Sequence, residues 1–98
     1  MTLPVAVTRC IDQLKAEHEG PLCAYVYDLP ALEQHIKAMR AVLPDNCELF
    51  YAAKANPEAR VLKTLAPWVD GFEAASGGEL TWLHEQCPDE PLIFGGPG

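Results

Sequence analysis

The chain has 98 residues, 49% of them hydrophobic and 21% charged, with 7 basic against 14 acidic side chains and a formal net charge of -7. Those values fit one modest globular domain, and the acidic balance argues against nucleic-acid and anionic-membrane binding, which both want a basic face. No apolar run approaches the ~20 residues of a spanning helix, and the first residues lack the basic start and long apolar stretch of a secretory signal. The expectation is a soluble, cytoplasmic protein.

Val7, Ile11 and Leu14, spaced by four and three, predict a helix over 5–18, stopped by Gly20-Pro21. Residues 22–27, Leu-Cys-Ala-Tyr-Val-Tyr, are rich in strand formers and bounded by turn residues, which predicts a strand. Asp28 then stands as an N-cap with Pro30 in the first turn. Leu32, Ile36, Met39 and Leu43 form the apolar stripe of a second helix, ended by Pro44-Asp45-Asn46. Residues 1–47 thus read as a lead-in of helix, strand and helix.

Over 48–98 the chain falls into a rhythm. The run from Glu48 to Ala53 is short and mostly apolar, as a buried strand should be. Asn56-Pro57 reads as the N-cap and first position of a helix carrying Val61, Leu62 and Leu65, ended by Pro67. A second strand falls between Val69 and Ala75. Ser76 opens a further helix with Leu80 and Leu83, closed by Pro88, and Pro91 to Phe94 is a third strand leading into Gly95-Gly96-Pro97-Gly98. Strands ending near 53, 74 and 95, with helices between them, predict βαβ units in a parallel sheet. All three carboxyl ends then share one rim, where α/β folds place their chemistry.

Four cysteines, Cys10, Cys23, Cys47 and Cys87, contain no Cys-x-x-Cys pair, and without an export signal no disulfide framework is expected. His84 and Cys87 stand three apart but leave a zinc site two ligands short, so no metal is expected. His18 and His35 stand alone and read as surface residues.

Lys54 sits directly behind the first strand of the rhythm. At the end of a buried strand its ammonium would be partly desolvated, which frees the amine as a nucleophile of the kind a Schiff-base lysine requires. The competing reading of position alone is a lysine snorkelling into water. Ser76 and Glu79 have the spacing of a capping box, in which hydroxyl and carboxylate satisfy amides at a helix start.

The surrounding residues favour the chemical reading. Phe50-Tyr51-Ala52-Ala53-Lys54-Ala55-Asn56 resembles the Tyr-Ala-x-Lys-x-Asn strand-end motif of the fold-type III pyridoxal-phosphate decarboxylases. Gly71-Phe72-Glu73-Ala74-Ala75-Ser76-Gly77-Gly78-Glu79 resembles the same family's Gly-Phe-Asp-x-Ala-Ser-x-x-Glu block. Tyr25-Val26-Tyr27-Asp28-Leu29 resembles the N-terminal lead-in of diaminopimelate decarboxylases, and Phe94-Gly95-Gly96-Pro97-Gly98 the next strand and its loop.

That resemblance implies an α/β fold, the N-terminal portion of a pyridoxal-phosphate-binding (β/α)8 barrel, with residues 48–98 supplying its first, incomplete βα units. It implies pyridoxal 5'-phosphate as cofactor and Lys54 as the catalytic lysine that holds it. Ala52, Glu73 and Glu79 are the other residues expected at the cofactor. Glu73 stands where the family usually has aspartate, which moves the carboxylate by about one bond length. The implied reaction is decarboxylation of a basic or diamino acid: diaminopimelate, ornithine, lysine or a siderophore precursor. A homodimer with sites at the subunit boundary is implied, with no nucleic-acid or membrane partner. A racemase of the same fold is disfavoured because Pro57-Glu58-Ala59, not Ala-Tyr-Gly, follows the lysine motif. The remaining alternatives are a decarboxylase-like pseudoenzyme acting by protein binding and a bare structural fragment that binds nothing. A barrel needs ~250 residues, so the 98-residue chain alone is expected to be inactive.

Overall fold

In the computed structural model residues 2–96 are described, so Pro97 and Gly98 of the expected terminal loop lie outside the described residues. Four α-helices and three strands follow in the order α1 (Val5–Glu17), α2 (Leu29–Val42), β1 (Phe50–Ala52), a 3-10 turn (Ala53–Ala55), α3 (Ala59–Leu65), β2 (Gly71–Ala74), α4 (Gly77–Gln86) and β3 (Leu92–Phe94). The strands form one parallel sheet in the order β1-β2-β3. Helices α3 and α4 are its crossovers, as the alternating pattern requires.

Register fixes which side chains share a face. Tyr51 pairs with Phe72 and Phe72 with Leu92, while Ala52 pairs with Glu73 and Glu73 with Ile93. The first row meets the helices: Phe72 is fully buried beside Leu62 and Leu65 of α3, Leu83 of α4 and Ile36 of α2. Tyr51 and Phe72 meet edge to face at 6.2 Å and 87°, a favoured arrangement of ring quadrupoles. Burying Phe72, Leu62 and Leu83 completely contributes roughly 1.5–3 kcal/mol each. In the second row no side chain is fully buried, and Ile93 is 44% exposed.

Helix α2 is capped as its sequence predicts: the amide of Ala31 donates to Asp28 Oδ1 at 3.1 Å. It is tied to the sheet by a pair that no local pattern announces. Arg40, in its last turn, donates from both terminal guanidinium nitrogens to the Asp70 carboxylate, which also accepts from the Leu49 amide at 2.6 Å. Asp70 thereby joins α2 to the starts of β1 and β2. The Arg40 hydrogen bond, reinforced by the Leu49 amide, holds the Asp70 carboxyl below the usual carboxylate range.

Two expectations are corrected. No strand forms over 22–27, because these residues find no ladder partner among the described residues. Strand formers favour extended backbone, but a strand also needs a neighbour's row of N–H and C=O groups. Tyr25 is 90% exposed, and Leu22, Ala24 and Val26 share a shallow cavity with Ile11 and Leu14 of α1. Asn56-Pro57 does not open α3: the helix starts at Ala59 with no side-chain cap. The Asn56 side chain instead accepts from the Glu58 amide at 3.1 Å, closing an Asx turn. All four cysteines are free, and only Cys87 is buried; burial pushes its thiol up.

Candidate active site

Chemistry-bearing residues gather at the carboxyl ends of the strands. Lys54 is the middle residue of the 3-10 turn that follows β1 directly, anchored by a fully buried Ala53. The expected desolvation is not present: Lys54 is exposed and forms no ion pair among the described residues. Within the turn, packing ends at the fully buried Ala53, and Lys54 and Ala55 after it are exposed.

Past Lys54 the backbone is held at two successive carbonyls. The Tyr51 hydroxyl donates to the Asn56 carbonyl at 3.1 Å, and the Trp82 indole N–H donates to the Pro57 carbonyl at 2.7 Å. The Tyr51 phenol is a donor at neutral pH at its ordinary value, and burial pushes it further up. Between the 56–58 loop and α4 lies an open cavity of about 480 Å³, bounded by Tyr27, Pro57, Glu79 and Trp82.

Glu73 is half-buried on β2, in register with Ala52. Its carboxylate lies against the loop after β3. A Cβ at Gly95 would come within 2.8 Å of Glu73 Oε2, and one at Gly96 within 2.6 Å of the Ala75 carbonyl. A side chain at position 95 would collide with the carboxylate, and one at position 96 with the backbone of Ala75. The Gly95 amide donates to the Ala74 carbonyl at 2.9 Å, which holds the loop in place.

Ser76 and Glu79 form the cap, with one departure. Ser76 Oγ accepts from the Glu79 amide at 3.2 Å. Glu79 Oε1 accepts at 3.1 Å from the amide of Ala75, one residue before the cap position. The carboxylate is therefore fastened to the carboxyl end of β2 as well as to its helix.

Lys54, Ala52, Glu73 and Glu79 thus lie at or beside the carboxyl ends of two adjacent strands. Tyr51 and Trp82 are polar-tipped aromatics that the sequence reading left without a role. The available signal for Tyr51 was that a half-buried Tyr usually finds a partner for its O–H; Trp82 is exposed and carried no such signal. Among the described residues no three His, Cys, Asp or Glu side chains come together as a metal site, and no helix is long and apolar enough to cross a membrane.

Residues 29–97 match the family model for the pyridoxal-dependent decarboxylase, pyridoxal binding domain. The chain is 47% identical over 88 residues to 2-[(L-alanin-3-ylcarbamoyl)methyl]-2-hydroxybutanedioate decarboxylase of Staphylococcus aureus, an alignment covering 90% of this chain and 22% of that protein. It is 38% identical over 73 residues to lysine/ornithine decarboxylase of Selenomonas ruminantium, covering 74% of this chain and 18% of that one. To L-glutamyl-[BtrI acyl-carrier protein] decarboxylase of Niallia circulans it is 33% identical over 89 residues, covering 90% and 20%. The chain therefore spans about a fifth of the length of these relatives.

Proposed function

Because the chain belongs to the pyridoxal-binding domain family of the pyridoxal-dependent decarboxylases, we propose that it supplies the lysine-bearing part of an amino-acid decarboxylase, with Lys54 holding pyridoxal 5'-phosphate. The observation that carries this reading is the placement of Lys54: an exposed primary amine, without an ion-pair partner among the described residues, directly after a strand of a parallel sheet.

The donor set fits such a group. A cofactor aldehyde needs an accessible amine, which Lys54 offers, and a flat ring needs small neighbours. Ala52, Ala53 and Ala55 flank the lysine, and Gly95 and Gly96 bring backbone without side chain to the next loop. Glu73 offers a carboxylate on the adjacent strand, in register with Ala52, two residues before the lysine. When bound, pyridoxal phosphate supplies an electron sink for the pair left as the substrate carboxylate departs as CO₂. Lys54 Nζ then has two tasks: to hold the cofactor between turnovers and to carry a proton at the reacting carbon. Glu79, fastened to the Ala75 amide, keeps the loop beside Glu73 in place.

The same reading takes the complete enzyme as a (β/α)8 barrel, cytoplasmic and homodimeric. The barrel part of that reading is supported by three parallel strands with helices on one face and a second face, bearing Ala52, Glu73 and Ile93, that has no packed layer among the described residues. For the substrate we favour a siderophore-type amino acid, one whose side chain carries an amide-linked carboxylate, over free lysine or ornithine. Its support is the 47% identity to the hydroxybutanedioate-amide decarboxylase, against 38% to the lysine/ornithine enzyme.

The test is borohydride reduction of the full-length protein with pyridoxal phosphate, followed by peptide mass spectrometry and a CO₂-release assay. The expected result is cofactor fixed to Lys54, with Lys54→Ala losing the label and activity falling about a thousandfold or more. A variant that keeps both label and turnover would place the cofactor elsewhere. Labelling without CO₂ release from any amino acid tried would favour the pseudoenzyme.

A further inference from the structure

The segment from Lys54 to Glu58 has a problem of hydrogen bonding. It leaves β1 through a single 3-10 turn, and Asn56 returns to extended backbone with φ -163° and ψ 107°. Pro57 has no N–H and stiffens the chain, so regular structure does not resume until α3 begins at Ala59. The carbonyls of Asn56 and Pro57 therefore have no partner within a helix or sheet. Two aromatic side chains from separate elements take them: Tyr51 Oη–H from β1 at 3.1 Å and Trp82 Nε1–H from α4 at 2.7 Å. The Glu58 amide closes on Asn56 Oδ1 from within the loop.

Both donors come from elements anchored in the core. The Tyr51 ring stands edge-on to the fully buried Phe72, and burial pushes its phenol up from an ordinary value that already leaves it a donor at neutral pH. Trp82 lies one position before Leu83, which anchors α4 in the core. The loop is thus pinned from β1 behind it and from α4 across the rim.

We propose that Tyr51 and Trp82 are positioning residues that hold the Lys54-bearing turn through the carbonyls of Asn56 and Pro57, presenting the amine to the cofactor in one orientation. The proposal rests on Lys54 being the cofactor lysine. Neither aromatic touches the reacting atoms; each acts on Lys54 through backbone three residues or fewer away. Losing them leaves the amine in place but lets the turn sample orientations unsuited to attack, so cofactor loading and turnover slow while substrate affinity stays.

Tyr51→Phe and Trp82→Phe keep an aromatic ring at each position and remove only the donor. The first readout is hydrogen exchange in the full-length protein without cofactor. In the double variant, amides of residues 53–58 should exchange about five- to tenfold faster, the scale expected for losing modest hydrogen bonds, while β2 amides keep their rate. The second is the rate of pyridoxal phosphate uptake, trapped with borohydride and counted at Lys54, expected to fall by a similar factor; kcat falls with it and KM for substrate holds. Each single variant should show a smaller effect of the same kind.

Unchanged exchange at 53–58 in the double variant would overturn the proposal. So would a rise shared evenly by β2 and α4, since that is the mark of general destabilisation. If unmodified protein fixes no cofactor at Lys54, the proposed function fails instead, and the exchange measurement still decides whether the two side chains hold the turn.

Discussion

Glu73 and Gly95 form a pair in which one residue's missing side chain sets the other's position. Glutamate is one methylene longer than aspartate, so its carboxylate reaches further from β2, and it comes to rest where a Cβ on Gly95 would stand. Gly95→Ala should push that carboxylate aside without touching the buried core. We expect the full-length variant to keep its melting temperature within a few degrees and to hold pyridoxal phosphate about tenfold more weakly, measured by equilibrium dialysis. Glu73→Asp, which draws the carboxylate back, should tolerate Gly95→Ala better than Glu73 does; equal losses in the two backgrounds would mean that the contact is without consequence. At the same scale, the buried indole nitrogen of Trp68 has no hydrogen-bond partner among the described residues, while Lys37 Nζ sits 4.8 Å from its ring centre. The cation partly offsets an arrangement that leaves a donor unpaired.

Two side-chain devices set how the elements meet. Ser76 caps α4, and Ser76→Ala should cost about 1 kcal/mol, read as a lower denaturant midpoint with an unchanged slope. Asp70 does more, because one carboxylate serves a helix end and two strand starts. Its folded-state pKa is lowered, so the stability it contributes is present above the ordinary carboxylate value near ~4 and is lost as pH falls through the lowered folded value. Arg40 is raised by the same hydrogen bond and stays charged throughout. Asp70→Asn should therefore lower the melting temperature at pH 7 and flatten its decline below about pH 4. An acid limb identical to that of the unaltered protein would show that other carboxylates control it.

These devices mark the boundary of what the sequence discloses. Periodicity placed α1, α2 and α4 to within a residue or two, because each stripe and cap is written in neighbouring positions. The strand rhythm placed Lys54, Glu73 and the Gly95-Gly96 loop on one rim, because parallel topology turns spacing into position. Arg40 with Asp70 and Trp82 with Pro57 were illegible, being 30 and 25 residues apart. No local pattern encodes a contact that only the packed fold creates. At 22–27 the residues specified a conformation, but the partner that would make it a strand is not among the described residues. Of the two readings position allowed for Lys54, partial desolvation and reach into water, the second holds: strand composition foretells burial of the strand, not of the turn beyond it.

The whole molecule is less compact than its residue count suggests. Its radius of gyration is 16.2 Å, against roughly 13 Å for a closely packed domain of this length, and its longest extent is 46 Å. Two features account for the difference: α1 has no buried residue, and the outer edges of β1 and β3 are unpaired among the described residues. Beside β1 an apolar cavity of about 360 Å³ opens between Leu32, Ile36 and Met39 of α2 and the strand itself. Unpaired parallel edges beside apolar surface invite association. The 98-residue chain by itself should therefore sediment as concentration-dependent oligomers and release no CO₂ from amino acids. A monodisperse monomer across a wide concentration range would contradict the first expectation, and measurable turnover the second.

The loosely held α1 also sets an order of events under proteolysis. Between it and α2 the chain passes through Gly20, whose φ of +85° belongs to the left-handed region that glycine adopts without strain, flanked by exposed residues on both sides. Backbone of this kind enters a protease cleft without first unfolding a core. A glutamate-specific protease should cut at Glu17 or Glu19 well before it reaches Glu73 or Glu79. The sheet, the Lys54 turn and the Asp70 junction would survive in the remaining piece, making the region from α2 onward the unit that resists digestion.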